Sequence, residues 1–179
     1  MNYNKRFTSK KLILFVLTVF IFVSCESAKD KLAKEIKLGE TKLFSDSVKA
    51  LNIDESNTVF NNYLVFADTY KEDTLSANYL FKAADLANGL NRPKESIAIF
   101  ERLRMTFPDY RKAASALFMQ AFIYETSIKD KEKAKEKYKE FIQKYPEHKL
   151  TASAQASLDQ LNANLSDEEL IKSFEAKNK

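Results

Sequence analysis

Apolar side chains follow three different spacings along this chain, and each spacing predicts a different element. Residues 12–23 (LILFVLTVFIFV) form an unbroken apolar run of 12 residues behind Lys5, Arg6, Lys10 and Lys11. Residues 26 to about 47 are charged and sparsely apolar, with Leu32, Ile36 and Leu43 on one narrow stripe of a helix that Gly39 weakens. That stripe fits either a loosely docked helix or a solvated spacer. At 52–57 the pattern breaks, and Asp54, Ser56, Asn57 and Thr58 offer N-cap side chains ahead of the next apolar run.

From there the chain repeats itself. TVFNNYLVFADTYKED from Thr58, ESIAIFERLRMTFPDY from Glu95 and KAKEKYKEFIQKYPEH from Lys133 align without gaps at a period of 37 to 38 residues. Counted back from Lys71, Pro108 and Pro146, the preceding column is Tyr70, Phe107 and Tyr145. Five before is Phe66, Leu103 and Phe141, and eight before is Tyr63, Phe100 and Tyr138. These spacings place the bulky side chains on one helical face. Twelve before stand Val59, Ser96 and Ala134, small enough for two helices to approach closely. A second helical stretch follows each block, with its first alanine at Ala77, Ala114 and Ala152. The first of these carries a stripe of Leu80, Ala83, Ala84 and Ala87 that ends at Asn88 and Gly89, a good helix stop; the second carries Leu117, Ala121 and Tyr124. Helix hairpins at such a period cannot hide their apolar faces alone and stack on their neighbours, so the expected fold class is all-α, a short α-solenoid.

The succession of a small residue, an aromatic four on, a bulky apolar residue three on and proline five on is carried by Ala134, Tyr138, Phe141 and Pro146. With serine in the first place it recurs as Ser96, Phe100, Leu103 and Pro108. This succession resembles the tetratricopeptide repeats over roughly residues 56–162, although the first block lacks the proline. The phrase FIQKYPEHKLTASAQASL is similar to tetratricopeptide lipoproteins of Gram-negative envelopes, especially the outer-membrane β-barrel assembly lipoprotein and Tol–Pal coordinator families. The resemblance implies helix-turn-helix repeats that present the first helix of each pair to a concave groove. At the positions expected to face it stand Asn78, Phe81 and Asp85 in one repeat and Ser115, Phe118, Phe122 and Glu125 in the next. The three phenylalanines either form an apolar cleft for an extended or helical segment of another envelope protein, or pack on neighbouring helices as core.

Composition agrees with helices: two glycines, three prolines and no tryptophan leave little for tight sheet turns. Charge changes the picture more. Four of the 29 Lys and Arg lie in the first 24 residues, which hold no acid, so 25 bases face 25 acids in the rest. A neutral remainder has no surplus of cations to displace counterions from phosphates, so no nucleic acid is expected as a partner. Basic residues, an apolar run and small Ser24 together read as a secretory leader over 1–24, and 12 apolar residues fall short of the about 20 that span a bilayer. The alternative is an uncleaved signal anchor. The chain's one cysteine falls where the apolar run stops, and Phe22-Val23-Ser24-Cys25 resembles a bacterial lipobox, with Phe22 where leucine is usual. Cys25 is therefore the expected lipidation site, acylation removing a thiol that an exported chain would rarely keep. Each buried methylene contributes about 0.8 kcal/mol, so two or more acyl chains would hold the protein on a membrane. Glu26 in place of aspartate resembles an outer-membrane address, so the expected location is a lipid anchor in the cell envelope, at the outer membrane facing the periplasm.

The expected organisation is a lipoprotein signal peptide at 1–24, a lipidated tether with an N-terminal helix at 25–55, a tetratricopeptide domain at 56–164 and a C-terminal helix at 165–179. The last begins with the capping-box pattern Ser166-Asp167-Glu168-Glu169, and either closes the stack or serves as a partner-binding tail. Catalysis leaves no trace. His148 is the lone histidine, no set of His and Cys has metal-ligand spacing, and no glycine-rich loop could cradle a phosphate. The acid pairs Glu168-Glu169 and Asp30 with Glu35 fit helix capping and solvated faces. The expectation is a non-enzymatic scaffold for an envelope protein or peptide segment, with no cofactor and no metal.

Overall fold

Three of the aromatic positions end helices in the same way. The backbone N–H groups of Tyr70, Phe107 and Tyr145 donate to the carbonyls of Phe66, Leu103 and Phe141 at 2.9, 2.8 and 2.9 Å, so one column of the repeat closes the last turn and the next fills the core below it. In the first and third turns a hydroxyl of the following helix locks the corner: Ser76 Oγ donates to the Tyr70 carbonyl at 2.6 Å and Thr151 Oγ1 to the Tyr145 carbonyl at 2.7 Å.

These turns belong to a computed structural model that describes residues 26–44 and 52–163. The leader, Cys25 and the 165–179 helix lie outside the described residues. Seven α-helices and no strand occur among the described residues: α1 Ala28–Phe44, α2 Ile53–Thr69, α3 Thr74–Gly89, α4 Pro93–Thr106, α5 Ala113–Ile123, α6 Lys131–Lys144 and α7 Thr151–Ala163. A π-helical turn, Tyr124–Ile128, extends α5 and ends at Lys129 in the left-handed conformation. Each helix packs chiefly on the one before it and the one after it, which is the sequential stacking of an α-solenoid.

Two apolar clusters form the core. The larger joins α1 to α4 with one side of α5, through Ala113, Ala116 and Ile123. The smaller joins the other side of α5, Leu117 and Ala121, to Tyr138 and Phe141 of α6 and Leu158 and Leu161 of α7. Alpha-helix α5 is apolar nearly all round because both of its sides are covered. The far side of α7 carries Ser153, Gln155, Asp159 and Asn162, exposed polar side chains.

Alpha-helix α1 is docked rather than a solvated spacer: Ile36 is fully buried, with Leu32, Ala33 and Leu43 packed around it. Gly39 is where α1 crosses α2, and a Cβ there would meet Val59 Cγ2 at 2.5 Å. Sequence reading saw only a helix-weakening residue at this place; it is also a contact surface.

Three local expectations need correction. The N-cap of α2 is Asn52, whose side chain accepts from the N–H groups of Asp54 and Glu55, whereas Ser56 is buried inside the helix and Asn57 accepts from Arg92. Alpha-helix α3 does stop at Gly89, but the left-handed residue is Asn91, with φ 59°. The alanine column also fails beyond Ala77. Ala114 is half-buried and Ala152 exposed, and the buried alanines at the matching fourth position of α5 and α7 are Ala116 and Ala154. Four residues separate α2 from α3, but six separate α4 from α5 and α6 from α7, so gapless alignment runs two residues out of register in the later helices.

Candidate functional site

That two-residue shift governs the groove. Two residues turn a helix by about 200°, so positions equated by a constant period face nearly opposite ways. In structural register Phe81 corresponds to buried Gln120 and to Leu158, and Phe81 is itself only 8% exposed. Its ring meets Phe100 edge-on at 5.3 Å, and Lys112 Nζ covers the ring at 4.4 Å. Phe118 is half-buried, edge-on to Tyr138 at 5.7 Å and to Phe141 at 5.6 Å. Both rings are therefore packed edge-on against aromatic side chains of the next helix. Asn78 accepts from the Tyr110 hydroxyl at 3.2 Å, Glu125 accepts from the Tyr138 hydroxyl at 2.7 Å, and Ser115 is half-buried on α5. Of the seven residues, Asp85 and Phe122 stand in solvent, Phe122 at 41% exposure.

Asp85 borders a hollow of about 500 Å³ between α1 and α3. Glu40 and Phe44 line it from α1, Lys82, Asp85 and Leu86 from α3, and Tyr63 of α2 lies between. Glu40 is held from two sides: the Tyr63 hydroxyl donates to its Oε1 at 2.8 Å and Lys82 Nζ at 2.7 Å. Burial, reinforced by the Glu40 contact, pushes the Tyr63 phenol far above its ordinary range, so it stays a neutral donor. The Tyr63 ring stacks on Tyr79 at 5.5 Å, which fixes the inner surface of the hollow. Phe44, at the rim, is 65% exposed.

Asp85 is different from Glu40. It makes no hydrogen bond or ion pair among the described residues, and desolvation by the surrounding walls raises its carboxyl to about 6, with Lys112 pulling weakly the other way. A residue can be open to water and still crowded when it stands on the wall of a concavity, which is where Asp85 is. Glu40 and Lys82 were missed from sequence, but a signal existed. Glu40 lies four residues after Ile36, on the apolar stripe of α1, where an acid has to find a partner.

The polar groups elsewhere hold structure together. His148 meets Phe141 edge-on at 5.5 Å, and its Nδ1 accepts from the Leu150 N–H at 3.2 Å. Asp30 accepts from Ser27 at the start of α1. No group of His, Cys, Asp and Glu that could hold a metal ion occurs among the described residues, and none of their helices is long and apolar enough to cross a membrane.

A family model described as a tetratricopeptide repeat matches residues 115–148. That segment is α5 with α6, so the repeat unit pairs α5 with α6, and by the same phase α3 with α4. The hairpin unit is therefore one helix out of step with the pairing of each aromatic block and the stretch after it. Residues 115–148 thus match a tetratricopeptide repeat, and the stacked hairpins give the described residues an all-α solenoid fold. A search of curated proteins finds no match to the chain.

Proposed function

We propose that the protein is a non-enzymatic scaffold of the cell envelope, lipid-anchored through Cys25, which recruits another envelope protein by a segment laid along the face of α1, α3 and α5. Its setting in this reading is the periplasmic side of the outer membrane, in outer-membrane protein assembly. Service as a Tol–Pal or division coordinator is the alternative, and capture of glycan a more distant one. The observation that carries the recruiting role is the hollow of about 500 Å³ between α1 and α3, in a stack with a tetratricopeptide-type repeat. Phe44 supports it as an aromatic side chain left largely exposed at the rim of that hollow. The export pattern before Cys25 supports the anchor.

A photo-crosslinking amino acid placed at Phe44, on the rim of the hollow, and separately at Met105 of α4, tests recruitment in growing cells. Adducts to one partner from position 44 and none from position 105 are expected; equal adducts from both would remove the hollow as the binding surface. Cys25→Ser tests the anchor. The variant should pass from the membrane to the soluble fraction, and retention in the membrane would defeat lipidation.

A further inference from the structure

The hollow between α1 and α3 has walls of two kinds. Phe44, Leu86 and the Tyr63 ring offer apolar surface, and Asp85 offers a carboxylate without a partner. The charged groups around it do not make up the difference. Glu40 of α1 and Lys82 of α3 neutralise each other, and Lys112, before α5, is drawn over the Phe81 ring. One negative charge is left on a crowded wall beside apolar surface. An occupant complementary to that wall carries a positive charge next to a bulky apolar group.

We propose that this hollow seats an extended segment of another protein, which presents a lysine or arginine to Asp85 and an adjacent bulky apolar side chain to Phe44, Tyr63 and Leu86. The proposal rests on the recruiting role and adds the chemistry of the recruited segment. It also gives Asp85 a reason: an unpaired acid on a desolvated wall weakens the free protein and finds its compensation in the complex. Because the carboxyl titrates at about 6, the pairing strengthens as pH rises through that value. The charged groups near Asp85 are Glu40 and Lys82, which line the same hollow, and Lys112, before α5.

Full-length protein in neutral detergent, titrated into a short fluorescent peptide alternating lysine with leucine and phenylalanine, tests this. A twin peptide with glutamate for lysine is the control. Anisotropy should rise with the basic peptide and not with its twin. Asp85→Asn should weaken binding roughly tenfold or more, the usual value of a charge-assisted contact, and should abolish the gain between pH 5 and pH 7. An unchanged melting temperature for Asp85→Asn at low pH guards against a folding defect. Equal binding of the two peptides, or equal binding by Asp85→Asn, overturns the proposal. A crosslinker at Phe44 that joins two copies of the chain, or only residues of one chain, overturns it as well. If the basic peptide fails while position 44 still captures its partner in cells, the assigned chemistry is wrong and recruitment stands; if both fail, recruitment falls too.

Discussion

Phe118 and Phe122 are one helical turn apart on α5, yet they have different surroundings. The edge of Phe118 is held by Tyr138 and Phe141, while Phe122 is open to water. Phe118→Ser should cost about 3 kcal/mol, because it removes ring contacts and puts a hydroxyl among apolar neighbours. Phe122→Ser should stay within about 0.5 kcal/mol, and urea titration of the two variants measures both. Asp85 makes a prediction of opposite sign. Its folded carboxyl is raised to about 6, above its ordinary value, so folding favours the protonated form. The folded state binds more protons than the unfolded one between the ordinary carboxylate range and pH 6, and stability falls as pH rises through that window. Asp85→Asn should therefore raise the melting temperature at pH 7.5 and leave it unchanged at pH 4. Solvent screening limits the gain to the order of 1 kcal/mol. At this scale the sequence showed which side chains are aromatic and helical, but not which way they face. Orientation depends on the length of the turn before α5, and nothing in the spacing of the aromatic columns reports the two extra residues there.

Alpha-helix α1 depends on a single small residue. Alanine at position 39 would favour the helix by about 1 kcal/mol, yet its Cβ would press on the stiff, β-branched Val59 at 2.5 Å. Overpacking of this kind costs about 1–3 kcal/mol, so Gly39→Ala should be net destabilising. Hydrogen exchange should rise across 28–44 and stay unchanged in α6 and α7, and adding Val59→Ala should restore protection. The helices themselves were legible, since each carries the 3.6-residue pattern, and so were the closing aromatics Tyr70, Phe107 and Tyr145. The capping residue Asn52 was not. Five polar side chains follow it within six residues, and only the chain's direction of entry decides which one caps the N–H groups. Asn91 was hidden for a similar reason: Gly89 is the more obvious left-handed residue, but the chain continues helical for one step past it.

Across the molecule, the two apolar clusters are joined by α5 and by one buried cation. Arg104 of α4, its side chain 9% exposed, donates to Glu101 at 2.9 Å, to Gln120 of α5 at 2.8 Å and to Glu140 of α6 at 2.6 Å. Burial opposes the charge on Glu140, but hydrogen bonds from Lys137 and Arg104 outweigh it and hold its carboxyl below the ordinary range. Arg104→Ala would leave Glu140 and Gln120 short of donors at about 3 kcal/mol, and calorimetry should show the single unfolding transition broaden or divide. Arg102 with Asp68 at 2.6 Å and Arg92 with Asn57 at 2.6 Å tie α4 to α2 in the same manner. The solenoid as a whole was readable from its period; the ties from Arg104 to Glu140, Arg102 to Asp68 and Arg92 to Asn57 were not, because they join residues 34 to 36 positions apart outside the aligned columns. Sequential stacking also has a mechanical side. A load applied at Glu26 reaches α1 first, and α1 is fastened by Lys29 to Asp73 near one end and by Glu40 to Tyr63 and Lys82 near the other. Tension would peel this helix away before it strained α4 to α7, carrying off Glu40 and Phe44 and releasing whatever was gripped there while the remaining hairpins stayed intact.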